Sequence, residues 1–286
     1  MQTALFQDID AQALDRAPLK FRHAMMDHPA LSLSNLAQVI PALPAAQVKY
    51  ATNRLSVDQN FEQSFGNANA TLEETIEKIR ESDSYIMVRA PESHPSFQPL
   101  YRELLADTEA IMRAKGVGAQ AHGAMLYMFI ASPNSVTPFH IDRYSTFLFQ
   151  FRGSKTVTIF PQWDERVVTH RQRESYIAYD STELGWTPEM DQFGMPYSFA
   201  PGEALHIPFA AGHHVRNGAD DVSISLSIIF NTDETRVWRS AHEWNHWARQ
   251  RGFTPAPVPG NPSVDRLKAL SRRVTNKMER VVRRPS

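Results

Sequence analysis

Apolar residues along this chain change their period part-way. Up to about residue 115 they recur mostly at helical spacing. Ser34 is placed to cap a short helix running to Ile40, which Pro41 would terminate or kink. Thr71-Leu-Glu-Glu74 is a capping-box pattern followed by Leu72, Ile76 and Ile79 on one side. Tyr85-Ile-Met-Val-Arg89 reads as a strand, and Phe97 to Lys115 as a helix with Leu100, Leu104 and Ile111 on one face. The first hundred or so residues are therefore expected to be mostly helical, forming a region over 1–115 that packs on a central core.

From residue 116 to 232 the period shortens to two. Ala124–Ile130, Thr146–Phe151, Lys155–Phe160, Ala204–Ile207 and Val222–Phe230 are β-rich runs separated by the turn signals Arg152-Gly-Ser154, Ala200-Pro-Gly202 and Asn217-Gly-Ala219. Several short alternating strands predict an antiparallel sandwich or barrel. Between Trp163 and Ser198 lies a long connection rich in Tyr, Asp, Glu and Arg, the expected place for a cover over a site, with Tyr176, Tyr179, Trp186 and Tyr197 as candidates. It reads equally as an ordinary surface insertion. Residues 233–286 return to helical spacing, with a helix over 234–250 and a stiff Pro255, Pro257, Pro259, Pro262 linker. A final helix comes after it, with Leu267, Leu270, Val274, Met278 and Val281 along one stripe.

Composition narrows the class only modestly. At 286 residues, 42% hydrophobic and 21% charged, the chain is an ordinary globular protein with enough length for a sizeable core. It has no cysteine, so disulfides and thiolate metal sites are excluded and any metal must rest on His, Asp or Glu. That absence fits a reducing compartment, and with no secretory signal pattern at Met1-Gln-Thr-Ala-Leu-Phe a cytoplasmic location is expected. No apolar run is long enough to predict a membrane span. The net charge of −1 conceals an asymmetry: from Val264 onward eight Lys/Arg face two acids, about +6, which leaves about −7 for the remainder. The main body therefore gives no nucleic-acid signal.

The chemistry concentrates in Thr137-Pro-Phe-His140-Ile-Asp142. Residues 140 and 142 are two apart in an apparent strand and so share a face. A second histidine from another strand would complete the two-histidine, one-carboxylate facial set that suits non-haem Fe(II) and leaves positions open for a co-substrate and dioxygen. His213, His214 and His206 are the available donors, and an isolated surface His-x-Asp pair is the plain alternative. Lys155 opens the β-run after the ligand strand. Facing inward it would need an anion such as the distal carboxylate of 2-oxoglutarate, with Thr137 supplying a hydroxyl; facing outward it is a solvated turn residue.

These motifs, with Gln150-Phe-Arg-Gly153-Ser-Lys155-Thr-Val-Thr-Ile-Phe160-Pro161, Pro201-Gly202-Glu203-Ala-Leu-His-Ile207-Pro208, His213-His-Val215 and Ser223-Ile-Ser-Leu in order, resemble the Jumonji-C, cupin-like Fe(II)/2-oxoglutarate oxygenases, most closely the protein-hydroxylase branch. The resemblance runs from Tyr127 to Phe230. It implies a mainly β fold with helical additions, a double-stranded β-helix flanked by N-terminal and C-terminal helices. It implies His140, Asp142 and His213 as catalytic iron ligands, His213 being chosen over His214 by the His-x-Val pattern. It implies 2-oxoglutarate contacts from Lys155 and Thr137, with Tyr127 and Val215 lining the co-substrate pocket. The implied activity couples hydroxylation of a C–H bond, on a polypeptide or small-molecule substrate, to oxidative decarboxylation of 2-oxoglutarate by dioxygen. The chain departs from the pattern at Ala210-Ala211-Gly212, where bulky aromatics are usual, and at Thr146 and Ser227, where asparagines are common.

Two rival readings come from other classes. His242-Glu243-Trp-Asn-His246 is a literal His-Glu-x-x-His, which on a helix could hold zinc with Glu243 as base, but no third ligand pattern accompanies it. A non-catalytic cupin-like binding module would keep the barrel and lose a ligand. The apolar stripe of the basic tail is a candidate for homodimerisation or for contact with an anionic surface.

Overall fold

The computed structural model describes residues 3–52, 54–65 and 71–282, with side chains to residue 275. In chain order the N-terminal elements are β1 (Phe6–Gln7), β2 (Leu19–His23), α1 (Leu33–Ala42), β3 (Val48–Ala51), α2 (Leu72–Glu77), β4 (Tyr85–Arg89) and α3 (Gln98–Lys115). Eight strands come next: β5 (His122–Ala131), β6 (Val136–Ile141), β7 (Ser145–Arg152) and β8 (Lys155–Ile159), then, after α4 (His170–Ile177), β9 (Met195–Phe199), β10 (Glu203–Ile207), β11 (Gly212–Asn217) and β12 (Ser223–Asn231). Helices α5 (Asp233–Arg249) and α6 (Pro262–Val282) close the chain.

The strands form two antiparallel sheets. One has the order β6-β11-β8-β9; the other has the order β1-β2-β10-β7-β12-β5-β4-β3. Four strands from each, all within residues 122–231, face one another as a double-stranded β-helix. The N-terminal region differs from the helical expectation. Besides its helices it supplies four strands, two at each edge of the large sheet, so β10 and β5 are not left as open edges. Leu19-Lys-Phe-Arg-His23 alternates as a half-buried strand should, with Phe21 and His23 inward and Lys20 paired to Glu203 at 3.1 Å on the outside. Five residues of alternation at that position are too few to stand out against the helical spacing around them.

The large sheet is buried on both faces, which is why β12 is buried at all nine positions. Its outer face packs Phe147, Phe149, Leu226 and Ile228 against Leu100, Leu104 and Ile111 of α3 and Val39 and Ile40 of α1. Each such side chain contributes about 1.5–3 kcal/mol on burial. Its inner face, with the small sheet, encloses Leu148, Val157, Ile159, Ile207 and Val215.

Local signals hold with small shifts. Thr71 and Glu74 form the expected reciprocal cap, but α2 ends at Glu77, before Ile79. The cap of α1 is Ser32, two residues ahead of Ser34, and Pro41 sits inside its last turn rather than ending it. The proline-rich stretch is not a free spacer: Val258 is fully buried, and Ala256 O accepts from Asn245 and Lys268. On α6, Leu267, Leu270 and Val274 are exposed as a stripe, while Met278 and Val281 fall outside the described side chains.

Candidate metal centre and co-substrate pocket

The ligand geometry begins with a mismatch between β6 and β11. His213 pairs with His140 and Val215 pairs with Thr137, so three steps along β6 oppose two along β11. The extra residue is a bulge, which reverses the alternation of side chains. In a regular strand residues 137 and 140 would point to opposite faces; here both line the same cavity. Pro138 has no N–H to lose at the bulge, and the Phe139 N–H leaves the sheet to donate to Val57 O at 2.8 Å.

Asp142 lies two residues beyond His140, just past the end of β6. Its Oδ1 is 3.9 Å from His140 Nε2 and its Oδ2 is 4.0 Å from His213 Nε2. The three ligand atoms lie within 4.8 Å of one another, and among the described residues no other group of His and carboxylate side chains converges in this way. Both imidazoles are oriented by the backbone. His140 Nδ1 donates to Pro138 O at 2.8 Å and His213 Nδ1 to Ala211 O at 3.0 Å, so each Nε2 lone pair faces the common point. Burial, and then the neighbouring His213, push His140 well below the usual histidine range and keep it neutral, the form a metal requires. Asp142 Oδ2 also accepts from the Thr146 hydroxyl at 3.0 Å, so Thr146 orients the carboxylate. Phe61, from the loop after β3, stacks on His140 with ring centroids 4.3 Å apart.

The triad sits in a cavity of about 440 Å³ between the sheets. Lys155 points into it and is 7% exposed, which removes the solvated-turn reading. Its Nζ donates to Ser225 Oγ at 2.8 Å, and among the described residues no carboxylate lies within 4.0 Å of it. Burial lowers its pKa from 10.5 to about 7. A buried amine without a counter-ion, sharing a cavity with three converging side chains able to hold a metal, is what an anionic chelator such as 2-oxoglutarate would complete. Thr137, Tyr127 and Val215 line the same space. The donor set of two imidazoles and one carboxylate likewise fits Fe(II) with open positions.

Two lining residues, Tyr85 and Arg143, have no motif of their own, and a buried serine of β12 supports a third. Tyr85 of β4 hydrogen-bonds Thr137, and its full burial holds the phenol protonated above its usual range. Ser225 positions Lys155. Arg143, next to Asp142, donates through Nε to Tyr176 O and through Nη1 to Glu62, each at 2.8 Å. Its guanidinium lies 4.1 Å from the Tyr176 ring centre and 3.9 Å from that of Tyr179. Half of the expected cover is therefore at the cavity. Trp186 instead packs against His214, and Tyr197 pairs across the small sheet with Val157.

The small residues before the third ligand have a steric cause. A Cβ on Gly212 would stand 2.8 Å from the Phe139 ring, and Ala210 takes a left-handed φ of 56°. The rival donors point elsewhere. His206 Nε2 accepts from the Asp15 N–H on the far side of the large sheet, and His214 is tied to Asp191. On α5, His242 is buried beside Trp163, Glu243 pairs with Arg239, and His246 faces Asp180, so the His-Glu-x-x-His residues assemble no metal group.

Four antiparallel strands from each of two facing sheets, forming a double-stranded β-helix, define the cupin class. The chain belongs to the cupin-like domain family, whose model matches residues 5–236. It is 24% identical over 153 residues to JmjC domain-containing protein F of Dictyostelium discoideum, a match covering 46% of this chain and 31% of that protein. The chain thus aligns with about a third of that relative's length. Among solved structures it is similar in fold to YcfD of E. coli (TM-score 0.51, 14% identity, 98% of this chain and 70% of that one). A structure of YcfD described as a ribosomal oxygenase in complex with cobalt and 2-oxoglutarate aligns with a TM-score of 0.50 and 15% identity, over 98% of this chain and 69% of that one.

Proposed function

We propose that this chain is an Fe(II)- and 2-oxoglutarate-dependent oxygenase that hydroxylates a side chain of a polypeptide. The observation that carries the reading is the placement of Lys155, buried and without a carboxylate partner, in the same cavity as the converging atoms of His140, Asp142 and His213. The likeness to an oxygenase solved with cobalt and 2-oxoglutarate supports it.

When bound, iron with 2-oxoglutarate supplies the oxidising chemistry that places one oxygen atom of dioxygen on a C–H bond and the other in succinate. The chain's own residues do the positioning. His140, Asp142 and His213 hold the metal, and Thr146 keeps the carboxylate in register. Lys155 and Thr137 hold the distal carboxylate of the co-substrate, with Ser225 and Tyr85 fixing their orientation. Leu148, Ile207 and Val215 exclude water and leave the amine–carboxylate pair poorly screened.

A polypeptide substrate is supported by the cavity's reach past the metal along the sheet to β4 and the edge strand β3, where Lys49, Met87 and Arg89 line it. No helix among the described residues is long and apolar enough to cross a membrane. With no cysteine in the chain, we place the protein in the cytoplasm. The exposed stripe on α6 supports a homodimer, tested by solution mass before and after removal of α6.

The function is tested by incubating the protein with Fe(II), 2-oxoglutarate and a cell-derived peptide mixture, monitoring succinate and peptides heavier by one oxygen. Both should appear with the wild type and vanish with Asp142→Ala. Succinate from Asp142→Ala at the wild-type rate would refute the assignment.

A further inference from the structure

The cavity carries an excess of positive charge beyond what metal and co-substrate use. On the inner face of the large sheet, Lys49 of β3 pairs with Met87 of β4, and Arg89 two residues on pairs with Tyr127 of β5. Side chains of one parity share one face, so both cations stand on the wall that continues from the metal to the sheet edge. Both are exposed, and among the described residues neither has a carboxylate within 4.0 Å. Lys49 lies 6.0 Å from the ring centre of Phe65, and Arg89 hydrogen-bonds the side chain of Tyr127. Glu92 is near enough to act on Arg89 electrostatically, but its carboxylate is turned to the Leu126 N–H.

The opposite wall excludes a cation for a different reason. Tyr176 and Tyr179 offer the kind of aromatic faces that would hold a positively charged side chain. Those faces already hold Arg143, and the Glu62 carboxylate beside them is committed to the same guanidinium at 2.8 Å. A basic substrate would find the aromatic faces filled, Glu62 paired, and two cations on its path with no carboxylate within 4.0 Å among the described residues.

We infer that the substrate segment this site accepts is acidic, carrying a carboxylate that meets Lys49 and Arg89 while the reacting side chain reaches the metal. The inference rests on the proposed oxygenase reading and names the substrate class of that site. The paired cations steer an acidic chain into the cavity and repel a basic one. They also set its direction, since one end of the cavity is occupied by Lys155 and the co-substrate.

The test uses the full-length protein loaded with Mn(II) and 2-oxoglutarate. Three fluorescent peptides of equal length, one acidic, one neutral and one basic, are titrated by anisotropy against the wild type and a Lys49→Glu/Arg89→Glu variant. The acidic peptide should bind the wild type about tenfold or more tighter than the basic one. The variant should lose that preference or reverse it, and high salt should erase it. Equal or tighter binding of the basic peptide, or an acidic preference that survives the charge reversal, overturns the inference. Binding of Mn(II) and 2-oxoglutarate to the wild type without peptide is a separate readout. Its failure would count against the oxygenase reading, whereas its success with no charge preference would count against the acidic substrate alone.

Discussion

Replacing Lys155 with methionine should stabilise the ligand-free protein and disable it. Methionine keeps the length of the chain and removes the amine. The amine's pKa falls from 10.5 to about 7 through burial. At pH 8 the folded protein therefore holds it neutral, having given up a proton the unfolded chain keeps. That exchange costs about 3 kcal/mol, from 2.5 pH units at 1.36 kcal/mol each. The substitution also loses the Nζ to Ser225 hydrogen bond and leaves a buried hydroxyl without its donor, about 1 kcal/mol in the opposite direction. The net expectation is a gain of about 2 kcal/mol, or roughly 4–8 °C in Tm for a chain of this size. Because the folded pKa is depressed, the unfolded state binds more protons between pH 7 and 10.5. Wild-type stability should accordingly rise with pH across that window, and the variant's advantage should shrink to nothing near pH 10.5. Thermal unfolding of both proteins, free of metal and co-substrate, at pH 8 and again near pH 10.5 measures the difference. With Mn(II) and 2-oxoglutarate added at saturation the advantage should disappear, since the variant forfeits an amine–carboxylate contact of about 2 kcal/mol, some 30-fold in affinity. A Lys155→Met protein less stable than wild type at pH 8 would refute the reasoning and make Lys155 a structural residue.

Other substitutions test the remaining parts of the site. Thr146→Val removes the hydroxyl from Asp142 Oδ2 and should weaken Mn(II) binding about 10–100-fold, while Thr146→Ser restores most of it, as titration by electron paramagnetic resonance would report. Gly212→Ala should destabilise by about 1–3 kcal/mol in denaturant unfolding because its Cβ meets the Phe139 ring, and Phe139→Leu should recover part of the loss. His246→Ala should leave metal affinity unchanged, and zinc added to His213→Ala should find no tight site on α5.

The chain announces its candidate metal ligands better than their surroundings. His140 and Asp142 are legible because a two-residue spacing on one strand forces a shared face, and an ordered set of motifs singles out His213. The face of Lys155 was not legible from position. Whether Lys155 points inward depends on the pairing of β8 with β11, a contact between residues some sixty apart. Thr137 shows the limit more sharply: plain alternation would turn it away from His140, and only the bulge at Pro138 and Phe139 brings it in. Phe61, Tyr85 and Arg143 reach the cavity from a loop, the first residue of β4 and the residue after Asp142, positions whose place at the cavity no local pattern marks. The edge strands β1 and β2 were hidden because two and five residues carry too little pattern to oppose the helical spacing nearby. In the Trp163–Ser198 connection, composition pointed to aromatics over the site but could not tell Tyr176 and Tyr179 from Trp186 and Tyr197, since that depends on where α4 ends.

The central claim is that His140, Asp142, His213 and Lys155 together hold Fe(II) and 2-oxoglutarate. An anaerobic titration of the metal-free protein with both, monitored in the visible region, tests it most directly through the metal-to-ligand charge-transfer band of a chelated complex. The account predicts a saturable band in the wild type that is absent in His213→Ala, weakened in Lys155→Met and intact in His246→Ala. No band in the wild type, or one that survives His213→Ala, would contradict it.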